Sequence, residues 1–262
     1  LKRKSNKNLI KIYKMTGVKT KSAKVAKVSK KNMTKKRLPA QKKGLGVQGH
    51  GKEWENQIIS VVVSPSRHAE AYGLSHTAIH DIPKELNKKN PGTNVSIKAT
   101  GTNKIDFGDA RRTINNIHNE NSPLEAIVVK YKQRGNQKIP QSVYRIDLTK
   151  GKDKLLGDIP KEELDEKINK LDAMVKKGDP AYKTYAKEVQ KYMFSKGSVM
   201  ILTPKKGNQE KKRAGRLQIS LSNVEKFARD NPHLVEENRE CKVYDTECLT
   251  TLESARRTFV KP

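Results

Sequence analysis

Cysteine is nearly absent. Cys241 and Cys248 are the only two, six residues apart near the end of the chain. That is too few for the disulfide framework of a secreted scaffold, and the third and fourth ligands of a zinc site are missing, so two reduced thiols are expected. Long apolar runs are lacking too: none approaches the ~18–20 residues of a membrane span, and no secretory leader pattern is present. The expectation is a protein without a membrane partner, intracellular (cytoplasmic, nucleoid or nuclear) and not secreted. No GxxxxGK[ST] cradle occurs, and Gly44-Leu45-Gly46 lacks a flanking strand and helix, so nucleotide-driven chemistry is not expected. Acidic residues are missing from the whole stretch before Glu53. Finally, the hydrophobic share of 34% is low against the ~45–50% of ordinary soluble domains, so part of the chain is expected to lie outside any core.

What the chain has is positive charge. Its 262 residues carry 56 Lys and Arg against 28 Asp and Glu, a net +28. The charge is uneven: 18 of the basic side chains fall in residues 1–52, and the remaining 210 residues hold 38 against all 28 acids, a surplus of ten. The length suits one large domain or two small ones with a tail. The expected division is a basic flexible arm over 1–51, a core over 52–150, and a helical and β-hairpin part over 151–262 packed on that core. The arm has Tyr13 as its one aromatic residue and no helical period, and is expected to be disordered. It suits phosphate contacts with DNA or RNA. Lys30-Lys31 followed by Lys35-Lys36-Arg37 also resembles a bipartite nuclear address.

The body reads as mixed α and β, a mixed central sheet flanked by helices. Trp54, Ile58, Val61 and Val62 form an amphipathic stripe favouring a helix, although Ile58–Val63 also suits a buried strand. A short helix is expected from a Ser75 cap toward Leu86, then a turn at Asn90-Pro91-Gly92. Strands are expected at 94–100, 104–107, 126–132 and 142–148, with antiparallel neighbours and a turn at Gly135-Asn136. Asp158 is expected to cap a helix that Gly178 closes, and Asp179-Pro180 to open another. Two strands around 198–203 and 216–222 enclose the basic loop Lys205–Arg213, and a helix follows over 223–229.

Gly101-Thr102-Asn103-Lys104-Ile105-Asp106-Phe107-Gly108-Asp109, followed by Glu125-Ala126-Ile127-Val128-Val129-Lys130, places an acid on one short strand and a lysine on the next. Upstream lies a helix carrying Glu53 and Glu55. Over roughly residues 51–150 this order resembles the PD-(D/E)xK superfamily that includes type II restriction endonucleases, whose core runs helix, three strands, helix, strand. The resemblance implies a restriction-endonuclease-like fold, Asp106 as the metal-binding aspartate and Lys130 as the catalytic lysine. Val128 stands where the motif has Glu or Asp, so the second carboxylate would be helix-borne Glu55, or Glu125 at the strand entrance. Strand parity sets Glu125 on the face opposite Lys130 and favours Glu55 as the metal ligand. Such residues suit phosphodiester hydrolysis, in which carboxylate-held Mg²⁺ and a lysine stabilise developing negative charge and supply hydroxide.

Arg111, Arg112, Lys132 and the loop residues Lys205, Lys206, Lys211, Lys212 and Arg213 are the candidate nucleic-acid contacts. The expected function is a sequence-recognising double-stranded DNA endonuclease, acting as a homodimer because a symmetric site favours a two-fold protein. Two other readings compete with it: a non-enzymatic basic DNA- or RNA-binding protein, and a metal-independent ribonuclease using His118 and Lys130. His76 and His80, four apart, are expected to be surface histidines.

Overall fold

The computed structural model describes residues 45–74, 80–204 and 215–253, with backbone alone for 45–51. Helix α1 spans Leu45–Val62, so helix begins within what the charge pattern assigns to the arm. The apolar run at its end is helical and not a strand. Trp54, Ile58 and Val62 are buried at helical spacing, and Ile59, Val61 and Val63 fill the gaps because that end is enclosed on several sides. A short 3₁₀ turn, Pro65–Arg67, and α2, His68–Tyr72, follow.

The helix expected from Ser75 toward Leu86 is not what residues 80–86 form; Ser75 itself lies outside the described residues. Asp81 lies in a bend, Ile82 is bridged to Val95, and residues 84–86 make a turn. Pro83 explains the difference. It has no N–H to give a helix, and its ring pushes Ile82 toward the β region.

Strand β1 (Asn94–Thr100) runs to β2 (Ile105–Asp109), α3 (Ala110–Ile117), β3 (Leu124–Arg134) and β4 (Gln137–Asp147). Helices α4 (Lys152–Leu156), α5 (Lys161–Lys177) and α6 (Tyr182–Ser195) precede β5 (Met200–Pro204) and β6 (Gly215–Ile219). Then come α7 (Leu221–Asp230) and four short strands, β7 (Val235–Asn238), β8 (Lys242–Val243), β9 (Glu247–Cys248) and β10 (Leu252–Glu253). Gly178 closes α5 in the left-handed conformation as expected, but Pro160 and not Asp158 sits at its N-cap, and Asp158 instead donates its backbone N–H to Lys196. The described residues belong to one compact unit, Lys43–Pro262.

The strands form more than one sheet. Five make a mixed sheet in which β1 is parallel to β3, while β3–β4, β4–β7 and β4–β10 are antiparallel. Strand β2 leaves it and joins a three-stranded antiparallel sheet, β2-β6-β5. The body is thus mixed α and β with a helix-flanked mixed sheet, as expected, but β1 and β3 are parallel neighbours. A parallel pair needs a crossover, which β2 and α3 supply.

Ala126, Ile127, Val128 and Val129 are buried on both faces of the sheet, which is why β3 reads as an unbroken apolar run. Leu124, Ala126 and Val128 join one core with Ile114 and Ile117 of α3 and residues of α5–α7. Ile127 and Val129 join the other with Trp54 and Ile58 of α1 and the C-terminal Val243, Leu249 and Leu252. Each fully buried aliphatic side chain here contributes about 1.5–3 kcal/mol.

Glu125 ties the C-terminal strands to the sheet. It is 3% exposed, accepts from Asn90 at 3.2 Å, Asn87 at 3.5 Å and the Tyr244 hydroxyl, and lies 3.7 Å from Arg145. Tyr244 and Asp245 have φ of 49° and 53°, a backbone that bulky residues rarely adopt; the hydroxyl contact and the Arg145 guanidinium 4.5 Å above the Tyr244 ring hold it there. Burial, which outweighs the Asn90 hydrogen bond and the Arg145 charge, raises the Glu125 carboxyl above its usual range. A raised folded-state value means that the protonated form stabilises the fold fully below the unfolded value, and that this contribution is lost as pH rises through the folded one. Glu125→Gln is therefore expected to gain stability relative to wild type between pH 4 and pH 8, read by denaturant unfolding. A variant that falls further behind wild type with rising pH would contradict this.

Candidate active site

The outer edge of β1 carries a single bridge. Asp81 and Ile82 donate to Val95 O at 3.0 and 3.1 Å, and Val95 donates back to Ile82 at 2.8 Å. Pro83 ends the pairing on the Asn94 side of the bridge. The next outward N–H, that of Ile97, is taken by a side chain: it donates to Asp81 Oδ2 at 2.5 Å. Ser96 Oγ and Lys98 Nζ converge on the same oxygen, each at 3.3 Å, and Lys98 Nζ also donates to Ile97 O at 2.9 Å. The Asp81 and Lys98 side chains are 30% and 25% exposed, a partly buried pair that still reaches solvent.

Glu55 comes to this edge from α1, where burial of its neighbours Trp54 and Ile58 fixes the rotation of the helix. Its carboxyl is raised above the usual range by burial first and by the Asp81 charge second, against the pull of Lys52 and Lys98. Asp81 and Lys98 are thus in contact, and Glu55 feels the charge of both. His80, beside Asp81, has its pKa lowered, mainly by burial, with Asp81 opposing and Arg112 adding to the effect. Its Nδ1 is buried and has no hydrogen-bond partner among the described residues.

Asp106 and Lys130 are not brought together. Asp106 lies on β2 in the three-stranded sheet, where its carboxylate pairs with Arg216 and accepts from the Gly108 N–H at 2.8 Å, shaping the β2 bulge. Lys130 lies on β3 in the other sheet, 2.9 Å from Glu225 of α7, beside a cavity of about 390 Å³ lined also by Gln141, Ser142 and Arg229. Glu125 belongs to the opposite face and the buried network described above, the parity expected from strand alternation. Of the candidate nucleic-acid contacts, Arg111 is held by Asp172 at 3.1 Å and by Asn169, Arg112 is half-buried, and Lys132 is exposed. Lys205, Lys206, Lys211, Lys212, Arg213 and His76 lie outside the described residues. His118 closes α3, its ring held neutral-leaning by burial and by Lys152 and Lys161.

Asp81, Ser96 and Lys98 were not singled out by sequence reasoning; Glu55 was. The available signal was Asp81-Ile82-Pro83, an acid just before a residue that proline forces toward extended backbone, followed by Ser96-Ile97-Lys98 on an alternating strand.

Among the described residues no group of three or more His, Cys, Asp or Glu stands ready to hold a metal ion. Mg²⁺ does not require one: it binds through one or two carboxylates and completes its octahedron with water and substrate phosphate. Glu55 and Asp81 are oxygen donors of that kind, and a divalent cation would offset the burial and the Asp81 charge that together raise Glu55. No family model matches the chain, and no curated protein and no solved structure matches it.

The coupling of the two carboxylates can be read directly. Asp81→Asn should lower the Glu55 pKa toward its ordinary value, and Lys98→Met should raise it further, both followed by carboxyl-carbon NMR titration. A Glu55 titration that neither substitution moves would put the groups out of each other's reach.

Proposed function

We propose that the chain is a Mg²⁺-dependent endonuclease that hydrolyses phosphodiester bonds of double-stranded DNA, with Glu55 and Asp81 as the cation ligands and Lys98 as the positioned cation. The observation that carries the reading is the Asp81–Lys98 pair at the open edge of β1, whose charges are felt by Glu55 of α1. Around it, the order of elements resembles the PD-(D/E)xK core, shifted one step upstream from the Asp106 and Lys130 positions. A helix bears Glu55, a bend bears Asp81, a strand bears Ser96-Ile97-Lys98, a helix crosses over, and a strand parallel to the first follows. Ser96 in place of an acid and a single bridge in place of a full strand are the departures.

When bound, Mg²⁺ would acidify a water and offset charge on the phosphate. The chain's own residues do the rest. Lys98, held by Asp81 and the Ile97 carbonyl, keeps its ammonium group at the site with few rotamers left to lose, ready to face a phosphate oxygen or the attacking water. Ser96 and the Ile97 N–H fix Asp81 Oδ2, so the carboxylate meets its ligand preorganised. The surplus of basic side chains supplies sequence-independent attraction to the duplex. A homodimer would present two such edges to the two strands of a symmetric site, the arrangement that restriction-type cutting of both strands requires.

Plasmid DNA with Mg²⁺ tests this. Wild type should cut it and EDTA should abolish cutting. Asp81→Ala, Lys98→Ala and Glu55→Ala should each lose about 100-fold or more, the scale of removing one preorganised transition-state contact. Asp106→Ala and Lys130→Ala should retain cutting. DNA retardation without cleavage at any Mg²⁺ concentration sinks the reading in favour of a binding protein.

A further inference from the structure

Strand β4 is covered unevenly along its outer edge. Strand β7 pairs with it from Val143 to Ile146 and β10 at Gln137 and Lys138, and among the described residues no strand pairs with the edge between those two. On its inner side the ladder with β3 slips at the same level. Lys130 faces Ser142 and Tyr131 faces Pro140, so Gln141 is the extra residue of a bulge. The cavity of about 390 Å³ beside Lys130 lies here, lined also from α7 and from the end of β7, and Glu55, Asp81 and Lys98 take no part in its wall. Its size is that of a small-ligand site, where roughly 300–1,000 Å³ is usual.

Every side chain in the wall is polar. Lys130, Arg229 and Arg239 stand against Glu225 and Glu237, a surplus of one positive charge. Four of these five are committed to one another: Lys130 Nζ donates to Glu225 Oε1 at 2.9 Å, and Arg239 Nε to Glu237 Oε1 at 3.1 Å, where the Tyr144 hydroxyl also donates at 3.2 Å. Arg229 is the fifth. It follows Glu225 by four residues on α7, the favoured spacing for a helical ion pair, yet Glu225 turns to Lys130 instead, and the Arg229 guanidinium has no partner among the described residues. The wall thus combines an uncommitted cation, two carboxylates already fixed in place, and the neutral groups of Gln141 and buried Ser142.

We propose that this cavity binds a small phosphorylated sugar, with the phosphate on Arg229 and the sugar hydroxyls on Glu225, Gln141 and Ser142. A guanidinium presents a planar fork of donors that matches two phosphate oxygens and stays charged at any working pH. Glu225 has Oε2 still without a partner among the described residues. Because Lys130 offsets its charge, it can accept from a hydroxyl without driving off an anion bound nearby. A base or an acyl chain suits the cavity poorly, since the wall has no aromatic or aliphatic side chain to stack on or pack against. A ligand that hydrogen-bonds over its whole surface suits it well. The site is independent of the nuclease reading, and Lys130 serves it whether or not the protein cuts DNA.

Titrations of the full-length protein at fixed salt, followed by backbone amide chemical shifts, provide the test. Ribose 5-phosphate should move the amides of Gln141, Ser142 and Arg229 and bind at least about tenfold more tightly than inorganic phosphate, the scale of one added charge-assisted hydrogen bond. Arg229 is exposed on a helix, where alanine is well tolerated; Arg229→Ala should weaken both ligands about tenfold or more. Arg134→Ala, which removes an exposed arginine outside the cavity, should change neither. Glu225→Gln should weaken ribose 5-phosphate and not inorganic phosphate. Equal losses in Arg229→Ala and Arg134→Ala would reduce the binding to diffuse attraction by a basic chain and overturn the site. So would an unchanged affinity in Arg229→Ala, ribose 5-phosphate binding no tighter than phosphate, or the absence of shifts at Gln141, Ser142 and Arg229. Gluconate binding as tightly as ribose 5-phosphate would overturn the choice of a phosphate over a carboxylate.

Discussion

The open edge of β1 is the constraint around which this end of the molecule is arranged. A strand edge presents unpaired N–H groups that need partners. Here Ile82 forms one antiparallel bridge with Val95, Pro83 ends it on the Asn94 side, and on the other side the next donor is satisfied by a carboxylate. A full partner strand would have paired that N–H with a carbonyl and left no oxygen of negative charge at the edge. The cluster therefore exists because pairing stops at that bridge and the Asp81 side chain, not a carbonyl of the preceding chain, takes the Ile97 N–H.

The second requirement is that two helices cover the sheet from opposite faces. Parallel pairing of β1 and β3 enforces this. The crossover must pass over one face of the sheet, which sets α3 there, and α1 is left to cover the other. Strand β3, apolar on both sides, is the shared wall of both cores. A side chain from the bridge and one from β1 meet at Asp81 Oδ2 although they are 17 residues apart, and Glu55 of α1 feels both charges. Moving the site would mean repacking both cores, since the rotation of α1 follows from Trp54 and Ile58 and that of α3 from Ile114 and Ile117.

Most elements were legible because their causes are local. The strands over 94–100, 126–132 and 142–148 show alternation or an apolar run, α5 shows its glycine stop, and α7 follows a serine cap. Sheet membership was not legible. Strand β2 pairs with β6, and the ion pair that marks this joins residues 110 apart; period and composition carry no record of such a partner. Asp106 and Lys130 look like sheet neighbours on paper and belong to different sheets. Asp81 and Lys98, only 17 apart, were within reach of sequence reasoning, but Asp81 fell inside an expected helix that Pro83 prevents. Glu55 was legible because helix position, not strand pairing, places it. The strands β8–β10 are two residues each, below the length at which alternation is detectable, and they are held by long-range contacts such as Trp54 Nε1 donating to Thr250 O.

On the nuclease reading, the uneven charge of the chain has a physical logic. A pair of carboxylates repels a phosphodiester, and Lys98 offsets only one of the two charges. Attraction to DNA must then come from elsewhere, and the 18 basic side chains before Glu53 together with the surplus on the body supply it without reference to sequence. Binding and chemistry are thereby separated. On that reading the basic stretch would hold the duplex whether or not a cation is present, whereas the Glu55–Asp81 pair would accept a phosphate only once a divalent ion has reversed the local sign. A site made attractive by lysines alone would bind the backbone tightly in the ground state and gain little in the transition state. Carboxylates that must first be neutralised make the favourable interaction depend on the metal, and so concentrate it where charge develops.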